Sequence, residues 1–424
     1  MSSEGSASST SWRRCGRAPR ARREQGADPA PLSRRLAEVA LEDAEGLVRA
    51  FSMYFQLVNL AEEHERVRQA ARAEGPREEG LEEALRTLHA RGLTRGEARA
   101  LVEGVELGLT FTAHPTEMRR RTVREHLAAI AAEIPTLHEP RSLERITARV
   151  EALWGTLELR RTHPTVHDEV VGGLAYLPVI ASVLPGLTRE LRAAFHAVYG
   201  EEVDLELPIR FSSWMGGDRD GNPNVTPEVT RETFAYHEAR ARELLRAEIA
   251  ASYARLSQHA TRVSVVPEPL AGAGEPWRAA LQRVHDALAE RTALDPCPPL
   301  ATIERTLRDA GQRRSAAMFA LPLVVQARAF GVHLASLDVR EHSAATESAV
   351  AELLARGGVS EGYAAAGEEE RRAALVRELA TRRPLLAVGE AASPALERVL
   401  GLLRAAREAM ARGARGPSVA TSSR

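Results

Sequence analysis

Three short segments of this chain hold residues whose types and spacing could do chemistry. The first reads Thr112-Ala113-His114-Pro115-Thr116, followed by Arg119, Arg120, Arg121 and Arg124. Pro115 biases His114 towards an extended backbone, which sets the imidazole at the mouth of a strand. Thr116 can cap the helix that follows. Arginines in the opening turns of a helix sit against its positive end, at a cost of roughly 0.3–1 kcal/mol each. The same end attracts anions, and arginine forks match phosphate and carboxylate oxygens. The segment therefore reads as an oxyanion site beside a group that titrates near neutrality. It reads equally as solvated arginines in an arginine-rich chain.

The second segment runs Phe211-Ser-Ser-Trp-Met-Gly-Gly-Asp-Arg-Asp-Gly-Asn-Pro-Asn-Val225. Gly216, Gly217 and Gly221 permit positive φ and close backbone approach. Asp218, Arg219 and Asp220 alternate in sign and can hold an arginine rigidly, with Asn222 beside them. A calcium loop is excluded, because its sixth position would be Pro223 and its twelfth Val229. Trp214 reads as packing. The segment reads as a functional loop, with a purely structural turn as the bland alternative. In the third segment Asp338 and Arg340 stand two apart, on one side of a strand whose apolar face ends there. The bland alternative is an internal ion pair.

The elements that must position these residues are mostly helices. Helical patterns cover 81–104, 124–134, 142–161, 228–259, 276–292, 302–330, 344–356, 367–382 and 394–411. An apolar stripe at Phe51, Tyr54, Phe55, Val58 and Ala61 marks a core-facing helix before them. Period-two alternation appears at Leu109–Ala113, Leu205–Ser213 and Val332–Arg340, and predicts strands. Strand, loop and helix in repetition with long helical crossovers imply a parallel sheet. The expected fold is mostly α with a partial parallel β-barrel, an incomplete TIM-type α/β barrel heavily decorated with helices, with chemistry at the strand ends. The expected divisions are a disordered leader over 1–35, a helical region over 36–105, the first half of the barrel domain over 106–411 and an irregular tail over 412–424.

Composition narrows the chemistry. The formal charge is −1, from 57 basic and 58 acidic residues, so bulk charge points to neither nucleic acid nor membrane. The chain has no lysine, which excludes a lysine Schiff base and a P-loop lysine. Cys15 and Cys297 make neither a disulfide framework nor a zinc pattern and fit a reducing cytoplasm. The apolar stretches at Tyr176–Leu187 and Ala316–Val325 are broken by proline and read as too short to span a bilayer.

Together the three segments resemble phosphoenolpyruvate carboxylase. Thr112–Arg121 matches that family's T-A-H-P-T-[EQ]-x-x-R-R, Ser213–Pro223 its S-W-M-G-G-D-R-D-G-N-P, and Phe330–Arg340 its F-G-x-x-L-x-x-L-D-[IV]-R. Weaker matches lie at Arg49–Glu63, Trp154–Glu169 and Glu378–Leu385. The resemblance implies a carboxy-lyase that joins bicarbonate to phosphoenolpyruvate with Mg²⁺ or Mn²⁺, giving oxaloacetate and phosphate. It implies catalytic roles for His114 and Arg340. It places Arg120 and Arg121 at an anion or sugar-phosphate effector site, and Asp218, Arg219, Asp220, Asn222 and Asp338 along the substrate wall. It also implies a cytoplasmic homotetramer at full length. Family members run to about twice this length, and their metal-binding Glu and Asp, a second histidine and further arginines lie downstream. The expectation is that this chain alone lacks metal ligands, is inactive and is poorly soluble. The rival is a non-catalytic anion-binding fragment, or one half of a split enzyme. A phosphohistidine carrier is disfavoured, because an arginine-rich site suits transfer to a bound anion.

Overall fold

The computed structural model describes residues 39–72, 79–112, 119–159, 164–200, 203–263, 270, 272–291, 295–387, 389–411 and 419–422. The chain divides into two compact units, Met1–Gly75 with Met118–His163, and Pro76–Glu117 with Pro164–Arg424.

In the first unit, helices α1 (Leu41–Arg72), α4 (Arg121–Glu133) and α5 (Pro140–Trp154) pack together. Their seam is Val123, Ile130 and Leu153, with Met53, Leu57 and Leu60 of α1 against it. Tyr54, Phe55 and Ala61, from the predicted stripe, are exposed instead, whereas Met53, Leu57 and Leu60 form the packed edge.

The second unit contains α2 (Leu81–Ala90), α3 (Arg95–Gly104), α6 (Val166–Gly173), α7 (Leu177–Tyr199), α8 (Pro227–Arg255), α9 (Pro276–Ala289), α10 (Cys297–Asp309), α11 (Leu321–Phe330), α12 (Ser343–Arg356), α13 (Glu368–Leu379) and α14 (Pro394–Ala411). Strands β1 (Leu107–Phe111), β2 (Ile209–Ser213) and β3 (Ser336–Leu337) form a parallel sheet in that order. Leu107 pairs with Ile209 and Ser212 with Ser336. A second parallel pair joins β4 (Val339–His342) to β5 (Val419–Ser422). Within the expected irregular tail, residues 419–422 are therefore a strand. The described residues show a small parallel sheet rather than a closed barrel.

One large core packs on the sheet, and another lies among helices. Ile209, Phe211 and Leu334 pack with Leu174, Leu177 and Leu184, and stacked rings run Phe111–Phe211–Phe330 at 5.6 and 5.0 Å. The second core, Leu281, Leu300, Ile303, Leu307 and Leu323, surrounds the fully buried Trp277, whose Nε1 donates to Thr306 Oγ1 at 3.0 Å. Satisfying the indole N–H lets the largest side chain close the centre of a helical layer without an orphaned donor.

Several boundaries move for identifiable reasons. The run predicted as one helix over 302–330 breaks after α10, where Gly311 takes φ +76, and resumes as α11 after a π-helical turn at Ala316–Ala320. Alternation over 332–335 is not strand. Gly331 and Leu334 take φ +56 and +65, and Ala335 N–H bonds back to His333 O at 2.7 Å. The strand begins at Ser336. The apolar stretch near Tyr176 belongs to a longer helical run, Val166–Tyr199, which is 34 residues long and apolar enough by length and composition to cross a membrane. Here its residues Leu177, Leu184, Leu191 and Phe195 are buried in the unit's cores.

Candidate active site

The carboxyl end of β2 flows directly into the glycine-rich loop, and the geometry there follows from backbone approach. Gly216 takes φ +79, and a Cβ at that position would collide with Thr233 Oγ1. At Gly217 the obstacle would be the carbonyl oxygen of Asp338. Thr230 Oγ1 donates to Gly216 O at 2.9 Å, which fixes the turn from the start of α8. Because no side chain intervenes, the loop continues the parallel ladder beyond β2. Asp338 N–H donates to Ser213 O at 2.8 Å, Arg340 N–H to Gly217 O at 3.0 Å, and Arg219 N–H to Arg340 O at 3.0 Å. Asp218 and Arg340 form a parallel bridge. Two Asx turns stiffen the tip, with Asp220 N–H on Asp218 Oδ1 and Asn224 N–H on Asn222 Oδ1, each at 3.0 Å.

This framework brings the second and third sequence segments into one place. The Arg340 guanidinium lies 3.8 Å from Asp218 Oδ2 and 3.9 Å from Asp338 Oδ2. Both separations exceed hydrogen-bond length, so the carboxylates orient the guanidinium while leaving its donors unsaturated. Its side chain is 37% exposed, and it can present a fork to an incoming oxyanion. Asp220 is exposed at the loop tip and Asn222 is half-buried.

Arg219 is placed differently. Its side chain is fully buried, with Nη1 donating to Arg398 O of α14 at 3.0 Å and Nε 3.6 Å from Glu341 Oε2. Removal from water, reinforced by Arg398, holds its pKa below the usual arginine value, and Glu341 works against that shift. Glu341 and α14 were not singled out from the sequence as parts of the site. The signal was present: Leu337, Val339 and Glu341 share the inward face of a period-two segment, and an acid on such a face requires an internal cation.

Of the first segment, His114 and Thr116 lie outside the described residues. Arg120 and Arg121 belong to the first unit. Arg120 is the N-cap residue of α4 without a side-chain cap, and no acidic residue stands in the first turn. Arg121 Nε pairs with Glu125 Oε1 at 2.7 Å. Arg119 Nη2 lies 3.0 Å from Glu158 Oε1, which also receives Gln56 Nε2, while Ser52 Oγ bonds the other oxygen. The Arg120 side chain is exposed and has no ion pair among the described residues.

No group of three or more His, Cys, Asp or Glu among the described residues is arranged to hold a metal ion. The Asp218 and Asp338 carboxylates face a guanidinium, so this pair does not fit a divalent cation.

A family model described as phosphoenolpyruvate carboxylase matches residues 11–297 and 282–419. A phosphoenolpyruvate carboxylase of Thermus thermophilus is 44% identical over 405 residues, covering 91% of this chain and 47% of that protein. One from Thermus sp. (strain 71) is 42% identical with the same coverage, and one from Rhodothermus marinus is 33% identical over 88% of this chain and 45% of its own length. The chain thus spans about half the length of the curated relatives it matches.

Proposed function

The chain belongs to the phosphoenolpyruvate carboxylase family, and from that premise we propose that it forms the part of such an enzyme that grips the anionic substrate. The reaction is bicarbonate plus phosphoenolpyruvate to oxaloacetate plus phosphate. The observation that carries this reading is Arg340, held between Asp218 and Asp338 with its donors unsaturated. Phosphoryl transfer spreads negative charge over oxygens, and a pre-oriented guanidinium meets that charge without reorganisation.

In this proposal bicarbonate oxygen attacks the substrate phosphorus, and the enolate of pyruvate departs with the former ester oxygen. His114 accepts the proton of the resulting carboxyphosphate. Its carbon–oxygen bond to phosphate then breaks, releasing carbon dioxide and inorganic phosphate, and the enolate carbon attacks carbon dioxide. Asp220 and Asn222 border the pocket, and Arg120 and Arg121 receive an anionic effector. Mg²⁺ or Mn²⁺, which the family implies, offsets charge when bound and rests on ligands outside these residues. Four parallel segments, 107–111, 209–213, 336–342 and 419–422, meet their chain-order neighbours, which supports an arc of a TIM-type barrel. At family length the protein is a cytoplasmic homotetramer, and this chain alone is inactive.

The test uses calorimetry and a coupled oxaloacetate assay. The 424-residue chain should bind phosphoenolpyruvate, and Arg340→Ala should weaken binding at least about tenfold, as loss of a charge-assisted pair predicts. Oxaloacetate should be absent with the chain alone and appear on adding the separately expressed remainder of the Thermus thermophilus relative. Equal binding by the wild type and Arg340→Ala, or turnover by the chain alone, would overturn the corresponding part.

A further inference from the structure

Arg219 occupies the centre of the loop motif, yet its side chain has no exposed surface. A guanidinium in that position cannot touch an incoming substrate. What it touches instead is structural. Its backbone N–H holds Arg340 O, its Nη1 holds Arg398 O of α14, and its Nε faces Glu341 Oε2. Arg340 and Glu341 are adjacent on β4, so the strand turns them to opposite faces. The two arginines therefore divide the neighbouring carboxylates between them: Asp218 and Asp338 outside for Arg340, Glu341 inside for Arg219. An inward carboxylate deprived of its cation is costly to keep charged. Turning outward, it would meet the guanidinium one residue away. It would then saturate the donors that Asp218 and Asp338 leave open.

We propose that Arg219 is a positioning residue: by drawing Glu341 into the interior and tying the Gly216–Asn222 loop to β4 and α14, it keeps the Arg340 guanidinium free for an oxyanion. This deepens the reading of Arg340 given above and rests on it. Around the pair, Arg398 contributes its carbonyl to the Arg219 fork while its own charge opposes that cation, and Glu228 in the first turn of α8 attracts it. His342 N–H donates to Glu341 Oε1 at 3.1 Å, which helps keep that carboxylate where Arg219 meets it.

The experiment compares wild type, Arg219→Met, the double variant Arg219→Met/Glu341→Leu, and Arg340→Ala in the full 424-residue chain. Hydrogen exchange is followed by mass spectrometry, and phosphoenolpyruvate affinity by calorimetry. Arg219→Met should speed exchange about tenfold or more in peptides covering 214–226 and 338–342, with the Trp277 core unchanged, and lower affinity at least about tenfold. The double variant removes the stranded carboxylate and replaces the pair by apolar groups, a substitution that folds readily. It should recover affinity to within about threefold of wild type. A double variant as weak as Arg219→Met, or unchanged exchange in both peptides of Arg219→Met, overturns the proposal. If wild type and Arg340→Ala bind alike, the substrate role of Arg340 is wrong, and the exchange result still decides whether Arg219 positions β4.

Discussion

His237 gives a quantitative test of how the site is supported from below. It lies on α8, buried, with Nδ1 3.4 Å from Ala335 O and Nε2 without a hydrogen-bond partner. Ala335 belongs to the bend that delivers β3. Burial, helped by His333 and opposed by the Ala335 carbonyl, lowers its pKa from 6.5 to about 4. A tenfold change in proton affinity corresponds to about 1.4 kcal/mol, so full protonation of the folded ring costs about 3 kcal/mol. Because the folded value is the lower one, the unfolded chain takes up the proton first as pH falls. Stability is therefore intact above about 6.5 and is lost between about 6.5 and 4, with about 2 kcal/mol gone by pH 5. The assay is the urea-unfolding free energy at pH 7 and pH 5, read by Trp214 and Trp277 in a Trp12→Phe/Trp154→Phe background. His237→Gln removes the titrating group, so the wild type should lose about 2 kcal/mol more than the variant between the two pH values. Equal losses would refute the reasoning, because another group would then carry the acid sensitivity.

Further outcomes follow from packing. Gly217→Ala places a methyl against Asp338 O, so it should destabilise the second unit by about 1–3 kcal/mol and weaken phosphoenolpyruvate binding, measured by urea unfolding and calorimetry. Gly216→Ala meets both positive φ and Thr233, and should cost at least as much, roughly 2 kcal/mol or more. Thr306→Val leaves the Trp277 N–H unpaired in the core, which predicts a loss of about 1–3 kcal/mol by urea unfolding with substrate affinity unchanged. Glu158→Ala frees Arg119, Ser52 and Gln56, and should raise exchange at the start of α4 with a loss of about 1 kcal/mol or less, because the cluster is partly solvated.

The sequence by itself determined where the motif segments lie and most of the elements that carry them. Helix α14 was legible to the residue, because its apolar pattern begins at Pro394 and ends where the alanines give way to Gly413. The alternation at β2 and the shared side of Asp338 and Arg340 were legible too, since period two is a local property of an extended chain. Local pattern did not reveal the positive φ at Leu334, which delays the third strand to Ser336. That bend is imposed where the helix before it packs into the core. Nor did it reveal that Arg219 turns inward while Asp218 and Asp220 turn outward. Which way each charge in that motif faces depends on Glu341, far along the chain, and on a carbonyl of α14. Pairing across such distances is decided by which surfaces meet when the chain folds, and spacing along the chain carries no record of it.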